Sequence, residues 1–332
     1  MIMKKVLVTG ANGFLGRHLC PTLRSAGYAV RAGVRNSLGT ARLRSGGIVV
    51  DEVVEIGDIA EVDPPRSAFK DCDAVVHLAA RVHVMGEATR QHLGTFRRVN
   101  VEGTRRLVEG SVACGVRRFV FVSSVKVIGE ATYAYAFSEN TELHPTDPYA
   151  ISKSEAEQVL LNTVLFSDIE ITIVRPPLIY GPGVGGNLYR LLWFLYHRLP
   201  LILPPGDNTR SLIAVENLAT LLAQCVNHPK AKNEVFVVSD GRDLSTRKLI
   251  QLLASGLRRR SIVFTMPQFM ADMCNDIGPI NQQLQRLSGS LRVDSSKARR
   301  LLEWEPPVSP EFGLVSTAKC FLATEQGSSG NQ

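Results

Sequence analysis

The sequence has few of the features that mark metal-binding, disulfide-rich or membrane-spanning chains. Its six cysteines lie far apart, with no CxxC pair and no Cys/His cluster at metal-binding spacing. We therefore expect reduced, buried thiols, no metal site and a cytoplasmic protein. The most apolar stretch, 191–203, is flanked or interrupted by Arg190, His197 and Arg198. It falls short of the about 20 uninterrupted apolar residues that a membrane span requires, so no membrane association is expected.

Aromatic residues are also scarce, at 7% of the chain, and they are not interleaved with the basic residues. The 38 lysines and arginines exceed the 31 acidic residues, which gives a net charge of +7. The basic doublets are scattered, as expected for solvated surfaces and helix ends, so no nucleic-acid partner is predicted. The positive charge suits anionic ligands such as dinucleotides and sugar nucleotides instead. With 45% apolar residues, the chain can bury a large core.

Short apolar runs alternate with helical stretches through the N-terminal half. The runs are continuous in Val, Ile and Leu, which is typical of parallel strands covered on both faces. Strand–helix–strand repetition predicts right-handed crossovers and an α/β fold, a Rossmann-type doubly wound parallel sheet. The predicted strands are 5–9, 29–34, 53–56, 74–78, 118–123, 170–174 and 234–238, and the predicted helices are 13–26, 95–114, 148–166 and 215–228.

A glycine motif connects the first predicted strand to the first helix. Gly10, Gly13 and Gly16 stand at the spacing of a turn that needs positive φ and lets the backbone approach a ligand closely. The helix that follows offers free N–H groups and a positive dipole end to phosphates. Taken alone, the motif fits an ordinary turn. Its position at the start of a strand–helix–strand unit predicts a dinucleotide site.

The regular pattern loosens after Arg175, where Pro and Gly cluster, and the segment after Ser245 is mostly helical and more polar. We predict a dinucleotide-binding domain, 1–176 and 206–239, and a smaller, mostly helical C-terminal substrate lobe, 177–205 and 240–325. The lobe would lie over the carboxyl edge of the sheet. The tail 326–332 is predicted to be disordered.

Residues at the ends of the next strands bear on the choice of dinucleotide. Arg35 follows the second strand, where an NAD site has a carboxylate. An arginine there suits a 2′-phosphate, so NADP(H) is favoured and NAD(H) stays possible, unless Arg35 is only a surface charge. After the third strand, Asp58 and Ile59 would bond the adenine amino group, or Asp58 would cap a helix. The small residues after the fourth strand would let the backbone pass close to the cofactor; these positions are Leu78, Ala79 and Ala80.

Tyr149 and Lys153 stand one helical turn apart and would share a helix face. Tyrosine is a poor base at neutral pH, but a nearby ammonium and an oxidised nicotinamide favour its phenolate. Ser123 and Ser124 close the fifth strand, where a serine hydroxyl would orient a substrate oxygen for proton transfer. Separately, these residues also fit a surface pair and a turn serine. Together with the glycine motif, they predict hydride transfer at a carbon–oxygen centre.

These pieces belong to a series that spans nearly the whole chain. In order, the series reads Gly10-x-x-Gly13-x-x-Gly16, Gly57-Asp58-Ile59, His77-Leu78-Ala79-Ala80, Val99-Asn100-Val101-Glu102-Gly103-Thr104, Ser123-Ser124, Tyr149-x-x-x-Lys153, Arg175-Pro176-Pro177, Arg210-Ser211-Leu212-Ile213 and Leu302-Glu303-Trp304-Glu305-Pro306. It resembles the extended short-chain dehydrogenase/reductase family of sugar-nucleotide epimerases, dehydratases and reductases.

The resemblance implies a role for each motif residue. Tyr149 would be the acid/base, Lys153 would hold the nicotinamide ribose and lower the tyrosine pKa, and Ser124 would touch the reacting oxygen. Asn100 would support the geometry of the site. Asn187 and Arg210 would grip the diphosphate of a UDP-linked sugar, with a structural salt bridge as the alternative for Arg210. The implied cofactor contacts are Gly10, Asn12, Gly13, Phe14, Leu15, Gly16, Arg35, Asp58, Ile59, Leu78, Ala79, Ala80, Asn100, Tyr149, Lys153 and Pro176.

One departure from the family pattern bears on the reaction. Val125-Lys126-Val127-Ile128-Gly129 stands where many members have Val-Tyr-Gly. Lys126 would then lie at the mouth of the site, against a sugar substituent or phosphate, or else in solvent. The stretch resembles bacterial 4-ketoreductases that make UDP-N-acetyl-quinovosamine for surface polysaccharide. The first expectation is therefore an NADP(H)-dependent 4-ketoreductase acting on a UDP-4-keto-6-deoxy-hexosamine.

Two other functions stay open. A UDP-hexose 4-epimerase would use the same residues with tightly bound NAD, and a non-catalytic NAD(P)-sensing module would share the fold. A dehydratase is disfavoured, because Val125 and Lys126 supply no acidic residue after the catalytic serine. The family habit also implies a homodimer, formed through the helices of 95–114 and 148–166.

Overall fold

A computed structural model describes residues 4–82, 92–267 and 289–329. Its strands are β1 (Lys5–Thr9), β2 (Ala29–Val34), β3 (Glu52–Glu55), β4 (Ala74–His77), β5 (Arg118–Val122), β6 (Glu170–Arg175), β7 (Leu178–Tyr180), β8 (Leu201–Leu203), β9 (Leu212–Ala214), β10 (Glu234–Val237) and β11 (Val263–Thr265). Seven of them form a parallel sheet in the order β10-β6-β5-β4-β1-β2-β3. The strand order reverses at β1, and sheets of this kind bind ligands at such a point.

Helices cover both faces of the sheet. They are α1 (Phe14–Ser25), α2 (Ser37–Ser45), α3 (Arg66–Phe69), α4 (Leu93–Arg97), α5 (Gly103–Ala113), α6 (Pro148–Val164), α7 (Gly186–Tyr196), α8 (Val215–Cys225), α9 (Thr246–Gly256), α10 (Ser296–Leu302) and α11 (Pro310–Ser329). The core on one face receives side chains from α1, α2, α8 and α10, and the core on the other from α3, α5 and α6. The predicted Rossmann-type fold is confirmed.

The apolar runs in the sequence follow from this double cover. In β1, Val6 and Val8 belong to one core and Leu7 to the other, and all three are fully buried. Successive side chains of a strand point to opposite faces, so a strand buried on both faces has no polar position to alternate with. The burial of β1 at the centre of the sheet fixes the position of the glycine turn that follows it.

The predicted helix over 95–114 is not continuous. The structure has α4, then a π-helical turn at Arg98–Glu102, then α5. A π-helical turn inserts one residue into an α-helix and is frequent at functional sites. Asn100 lies in this turn and is buried.

A third core lies among α7, α9 and α11, and two short parallel strand pairs, β7–β9 and β8–β11, accompany these helices. The division into a domain and a lobe stays a prediction, and β9 packs into the third core although 206–239 is predicted to belong to the domain. α11 continues to Ser329, beyond the start of the predicted tail at 326. Residues 330–332 of that tail, and 268–288 of the predicted helical segment, lie outside the described residues.

In the described ranges, no helix combines the length and apolar character needed to cross a membrane. In the same ranges, no three His, Cys, Asp or Glu side chains are grouped so as to hold a metal ion.

Candidate active site

The glycine turn after β1 keeps its compact shape only because two of its positions have no side chain. Gly10 has a φ of +69°, and a Cβ there would come within 2.9 Å of the Ala79 backbone nitrogen. A Cβ on Gly16 would lie 2.5 Å from the carbonyl oxygens of Gly10 and Ala11. The Gly13 N–H donates to the Gly10 carbonyl at 2.9 Å and closes the turn. These contacts explain why the first and third glycines cannot be replaced without moving the backbone.

The start of α1 is available to an anion. Gly13 is its N-cap, and within the part of the chain that the structure describes, no side chain caps this end; the first turn also has no acidic residue. The first N–H groups of the helix therefore keep their hydrogen-bonding capacity and the positive dipole end. Of the predicted cofactor residues here, Asn12 and Phe14 are half-buried and Leu15 is buried. The cradle fits the pyrophosphate of a dinucleotide.

Arg35 is the exposed cation at the end of β2. Its side chain is 65% exposed, and Nη1 lies 3.6 Å from Oδ2 of Asp58. Asp58 caps a turn rather than a helix, since Oδ1 accepts the Ala60 N–H at 3.0 Å. Arg31 is buried in structural contacts, where it pairs with Glu52 and donates to backbone carbonyls. Arg35, Asp58 and the buried Ile59 thus lie together after β2 and β3, while their contact with an adenine or ribose group stays a prediction.

A buried polar chain fixes the loop after β4, where Leu78, Ala79 and Ala80 are half-buried. His77 Nδ1 lies 2.7 Å from Thr9 Oγ1, which also accepts the Ala79 N–H at 3.3 Å. The other ring nitrogen lies 3.0 Å from Thr104 Oγ1. Burial, assisted by the charge of Lys153, lowers the pKa of His77 to about 3. The imidazole is therefore neutral at physiological pH and serves as a structural bridge between β1, β4 and α5.

Asn100 fastens the same loop to α6. Its Oδ1 accepts the Arg81 N–H at 2.8 Å, and its Nδ2 donates to the Arg81 carbonyl at 3.0 Å. The same Nδ2 donates to Ser152 Oγ at 2.9 Å. These contacts agree with the supporting role that the motif implies, whereas direct contact with a cofactor stays a prediction. The π-helical turn thus directs the Asn100 amide toward the loop after β4 and toward α6.

Tyr149 lies in the first turn of α6, half-buried, with Asp147 as the N-cap and Pro148 as the first helical residue. Asp147 Oδ1 accepts the Ala150 N–H at 2.7 Å, which fixes the start of the helix. Desolvation raises the pKa of Tyr149 to about 12, the negative charge of Asp147 adds to this increase, and the Ser124 hydroxyl beside the phenol opposes it.

Lys153 follows one turn later and is only 2% exposed. Its Nζ lies 3.8 Å from the centre of the Phe121 ring in β5. Burial lowers the pKa of Lys153 to about 7, and the charge of Glu157 opposes this shift. Glu157, one turn further along α6, is itself held by Arg175 at 3.0 and 2.6 Å. Tyr149, Lys153 and Glu157 thus stand on one face of α6 in order of increasing burial.

Ser124 rather than Ser123 faces the phenol. Ser123 is buried, and its Oγ has no hydrogen-bond partner among the described residues. Ser124 begins a single helical turn at Val125–Val127, where its Oγ accepts the Lys126 N–H at 3.2 Å. The Pro176 carbonyl accepts the Val125 N–H at 2.9 Å, so buried Pro176 lies beside this turn. The structure thus brings the predicted Ser124 and Pro176 to one place at the carboxyl edge.

Lys126 is engaged by two carboxylates that the sequence patterns did not single out. Its Nζ lies 2.5 Å from Asp147 Oδ2 and 3.1 Å from Glu130 Oε1. Two features of the sequence could have indicated these partners: an Asp directly before Pro148 is typical of an N-cap, and Glu130 follows Lys126 at a spacing of four. The predicted location at the mouth of the site agrees with the geometry, while a contact with substrate stays a prediction.

The two predicted diphosphate residues stand further out. Asn187 is exposed in the first turn of α7. Arg210 is half-buried, and its backbone bridges to Leu244 and Leu291. Burial lowers the pKa of the Arg210 guanidinium, and the negative charge of Glu130, which also pairs with Lys126, opposes this shift. No contact among the described residues joins Asn187 to Arg210.

A glycine turn at the switch point of the sheet, with a tyrosine and a lysine on one face of a nearby helix, is typical of NAD(P)-dependent enzymes. The model of the NAD dependent epimerase/dehydratase family matches residues 6–239. A UDP-glucose 4-epimerase from Vibrio cholerae is 36% identical over 324 residues, which are 96% of both chains. The chain belongs to this family, and its predicted resemblance to the extended short-chain dehydrogenases/reductases is confirmed.

Solved structures show the same fold. The UDP-glucuronic acid 4-epimerase from Bacillus cereus, in complex with NAD, gives a TM-score of 0.78 at 23% identity and covers 96% of each chain. RMD from Pseudomonas aeruginosa, complexed with NADPH, gives 0.72 at 20% identity and covers 97% of this chain and 100% of that one. The fold therefore accommodates both dinucleotides.

Proposed function

We propose that the protein transfers a hydride at C4 of a UDP-linked sugar, with Tyr149 as the acid/base. The observation that carries this proposal is the placement of Tyr149 and buried Lys153 one turn apart on α6, with the Ser124 hydroxyl beside the phenol at the carboxyl end of β5. Two adjacent hydroxyls of this kind offer one place for a substrate oxygen to accept one hydrogen bond and exchange a proton through the other.

The protein residues divide the proton chemistry between them. Ser124 holds the C4 oxygen while Tyr149 gives it a proton or takes one from it. Because the pKa of Tyr149 is raised to about 12, the phenol is protonated at neutral pH and can donate a proton. It requires nearby positive charge to act as a base. Lys153, on the next turn of α6, is the residue placed to supply that charge, and because burial lowers its pKa to about 7, it is protonated only in part at neutral pH. NAD(P), when bound, supplies the redox partner of the sugar carbon.

For the net reaction, we place 4-epimerisation of a UDP-hexose first and reduction of a UDP-4-keto-6-deoxy-hexosamine second. Epimerisation is supported by the Vibrio cholerae relative, a UDP-glucose 4-epimerase 36% identical to this chain. Reduction is supported by Arg35, because a reductase exchanges its NADPH and a 2′-phosphate needs a cation. A non-catalytic NAD(P)-sensing role is the weaker alternative, since the chain keeps Tyr149 and Lys153 together on one helix face.

NADP(H) is the cofactor that the end of β2 favours. Arg35 already attracts the Asp58 carboxylate at 3.6 Å, and a 2′-phosphate would be a stronger partner for the same guanidinium. NAD(H) remains compatible with the rest of the cradle, which is made mainly of backbone. Arg210 and Asn187 are proposed to bind the diphosphate of the sugar nucleotide, Arg210 through its planar, multidentate donor set.

A paired assay separates the two reactions. In one series, the purified enzyme receives UDP-glucose or UDP-N-acetylglucosamine without added cofactor, and the products are resolved by chromatography. In the other, it receives UDP-4-keto-6-deoxy-N-acetylglucosamine and NADPH, and absorbance of the reduced cofactor is followed. C4 epimers in the first series establish the epimerase, and NADPH loss in the second establishes the reductase. No turnover in either series, with Tyr149→Phe as the blank, would overturn the proposed function.

A homodimer through α5 and α6 remains part of the proposal. The two helices pack together, and α6 ends in an apolar group that is open to solvent in the single chain. The side chains in question are Leu161 at 44%, Leu165 at 72% and Phe166 at 88% exposure, with Val112 of α5 at 37%. Sedimentation of the purified protein gives the mass directly, and a monomer at micromolar concentration would exclude this assembly.

A further inference from the structure

Lys126 makes more charged contacts in this site than the binding of a substrate alone would require. An ammonium carries three donor hydrogens, and two carboxylates already lie within 3.1 Å of this one. The closer partner, Asp147, is also the N-cap of α6 and lies two residues before Tyr149. The backbone N–H of Lys126 donates to the Ser124 hydroxyl, which lowers the pKa of the phenol. Lys126 therefore touches both groups that determine where the Tyr149 side chain lies and how readily it ionises.

We propose that Lys126 is a positioning residue for Tyr149: it holds the Asp147 carboxylate at the first turn of α6 and offsets its negative charge beside the phenol. The proposal rests on the role of Tyr149 in the proposed function and adds a residue to it. Asp147 Oδ1 caps the helix while Oδ2 faces Lys126, so one carboxylate fixes the helix start and the ammonium fixes the carboxylate.

The charges around the phenol determine the direction of the effect. Asp147 from the turn before α6 raises the pKa of Tyr149, and the Ser124 hydroxyl from the end of β5 lowers it. Lys126 and Glu130 come from the loop after β5, and Lys153 lies one turn along α6 itself. Arg210 follows beyond Glu130. Removing the Lys126 charge leaves Asp147 uncompensated, which favours the neutral phenol; removing the Asp147 charge favours the phenolate.

Three variants test this account: Lys126→Met, Asp147→Asn and the double variant. Asparagine is as good an N-cap as aspartate, so Asp147→Asn changes the charge while an oxygen remains for the Ala150 N–H. The protein is saturated with oxidised cofactor, and the ionisation of Tyr149 is followed by the ultraviolet difference spectrum of tyrosinate against the matching Tyr149→Phe protein. No sugar substrate is required, so a negative result here is distinct from failure of the proposed reaction.

The pKa of Tyr149 is expected to move about one pH unit upward in Lys126→Met and about one unit downward in Asp147→Asn. The double variant, in which both charges are gone, should return close to the parent value. Lys319→Met, on the exposed side of α11, is the charge-matched control and should leave the titration unmoved. A shift of the same sign in both single variants, or no shift in either, would overturn the proposal. So would a Lys126→Met enzyme whose KM for the sugar nucleotide rises while the tyrosine titration is unchanged, since that outcome assigns Lys126 to the substrate.

Discussion

The cofactor end and the substrate end of the site are built by different means. The cofactor end uses mainly backbone: a turn that requires Gly10 and Gly16, a helix start that no side chain caps among the described residues, and a loop fastened by Asn100. The substrate end uses charged side chains from distant segments, with Lys126, Asp147 and Arg210 grouped around Glu130 and the phenol. Backbone cradles tolerate many ligands of one shape, whereas side-chain charges select among them. The two ends should therefore respond to mutation in different kinetic constants.

Tyr149 is where the two ends meet, so its removal has the largest expected effect. We expect Tyr149→Phe to lower kcat by about 10² to 10⁴-fold, because general acid–base catalysis is lost while the ring remains. The cofactor Kd should change by no more than about twofold, since the cradle is backbone. Steady-state rates and fluorescence titration of the reduced cofactor check both expectations.

Tyr133→Phe, at a residue that is 91% exposed, is the matched control. A Tyr149→Phe enzyme with most of its activity would remove the acid/base assignment.

The residues of the predicted cofactor end follow from local spacing, whereas the contacts at the predicted substrate end do not, for a physical reason. Gly10, Gly16 and the strand before them lie within a dozen residues, so local spacing carries the geometry. The pairing of Lys126 with Asp147 joins two segments that come together only when the turn at Val125–Val127 packs against α6. The π-helical turn at 98–102, inside the predicted helix, was missed for the same reason. Asn100 is held there by Arg81 and Ser152, which are distant in the sequence. Local patterns predicted which residues matter, whereas tertiary contacts determine their partners.

At the substrate end, the expected effect of a single charge is smaller and falls on a different constant. We expect Arg210→Ala to raise the KM for the sugar nucleotide by about 10 to 100-fold with kcat lowered less, because a hydrogen bond to a charged group contributes about 1.5–3 kcal/mol. Its half-buried guanidinium, whose Nε has no partner among the described atoms, is suited to a bound diphosphate. Initial rates over a range of substrate concentrations measure the split. Arg242→Ala, an exposed arginine paired with Glu311, is the control. An unchanged KM would place the diphosphate elsewhere.

At the cofactor end, Arg35 is the exception to the backbone rule, and it gives the smallest expected effect. Its side chain is 65% exposed, so water and salt screen its charge, and we expect Arg35→Asp to change the ratio of NADPH to NADH affinity by about tenfold. The binding of NADPH should weaken because its 2′-phosphate would meet a carboxylate, while the binding of NADH, which has a hydroxyl there, should be little affected.

Arg44→Asp, on the exposed surface of α2, makes the same change in net charge away from the strand end. Equal weakening of both dinucleotides, or an effect matched by Arg44→Asp, would show that Arg35 acts through general charge rather than through recognition of a phosphate. The cofactor end would then be built from backbone alone, and its choice of dinucleotide would have to come from another contact.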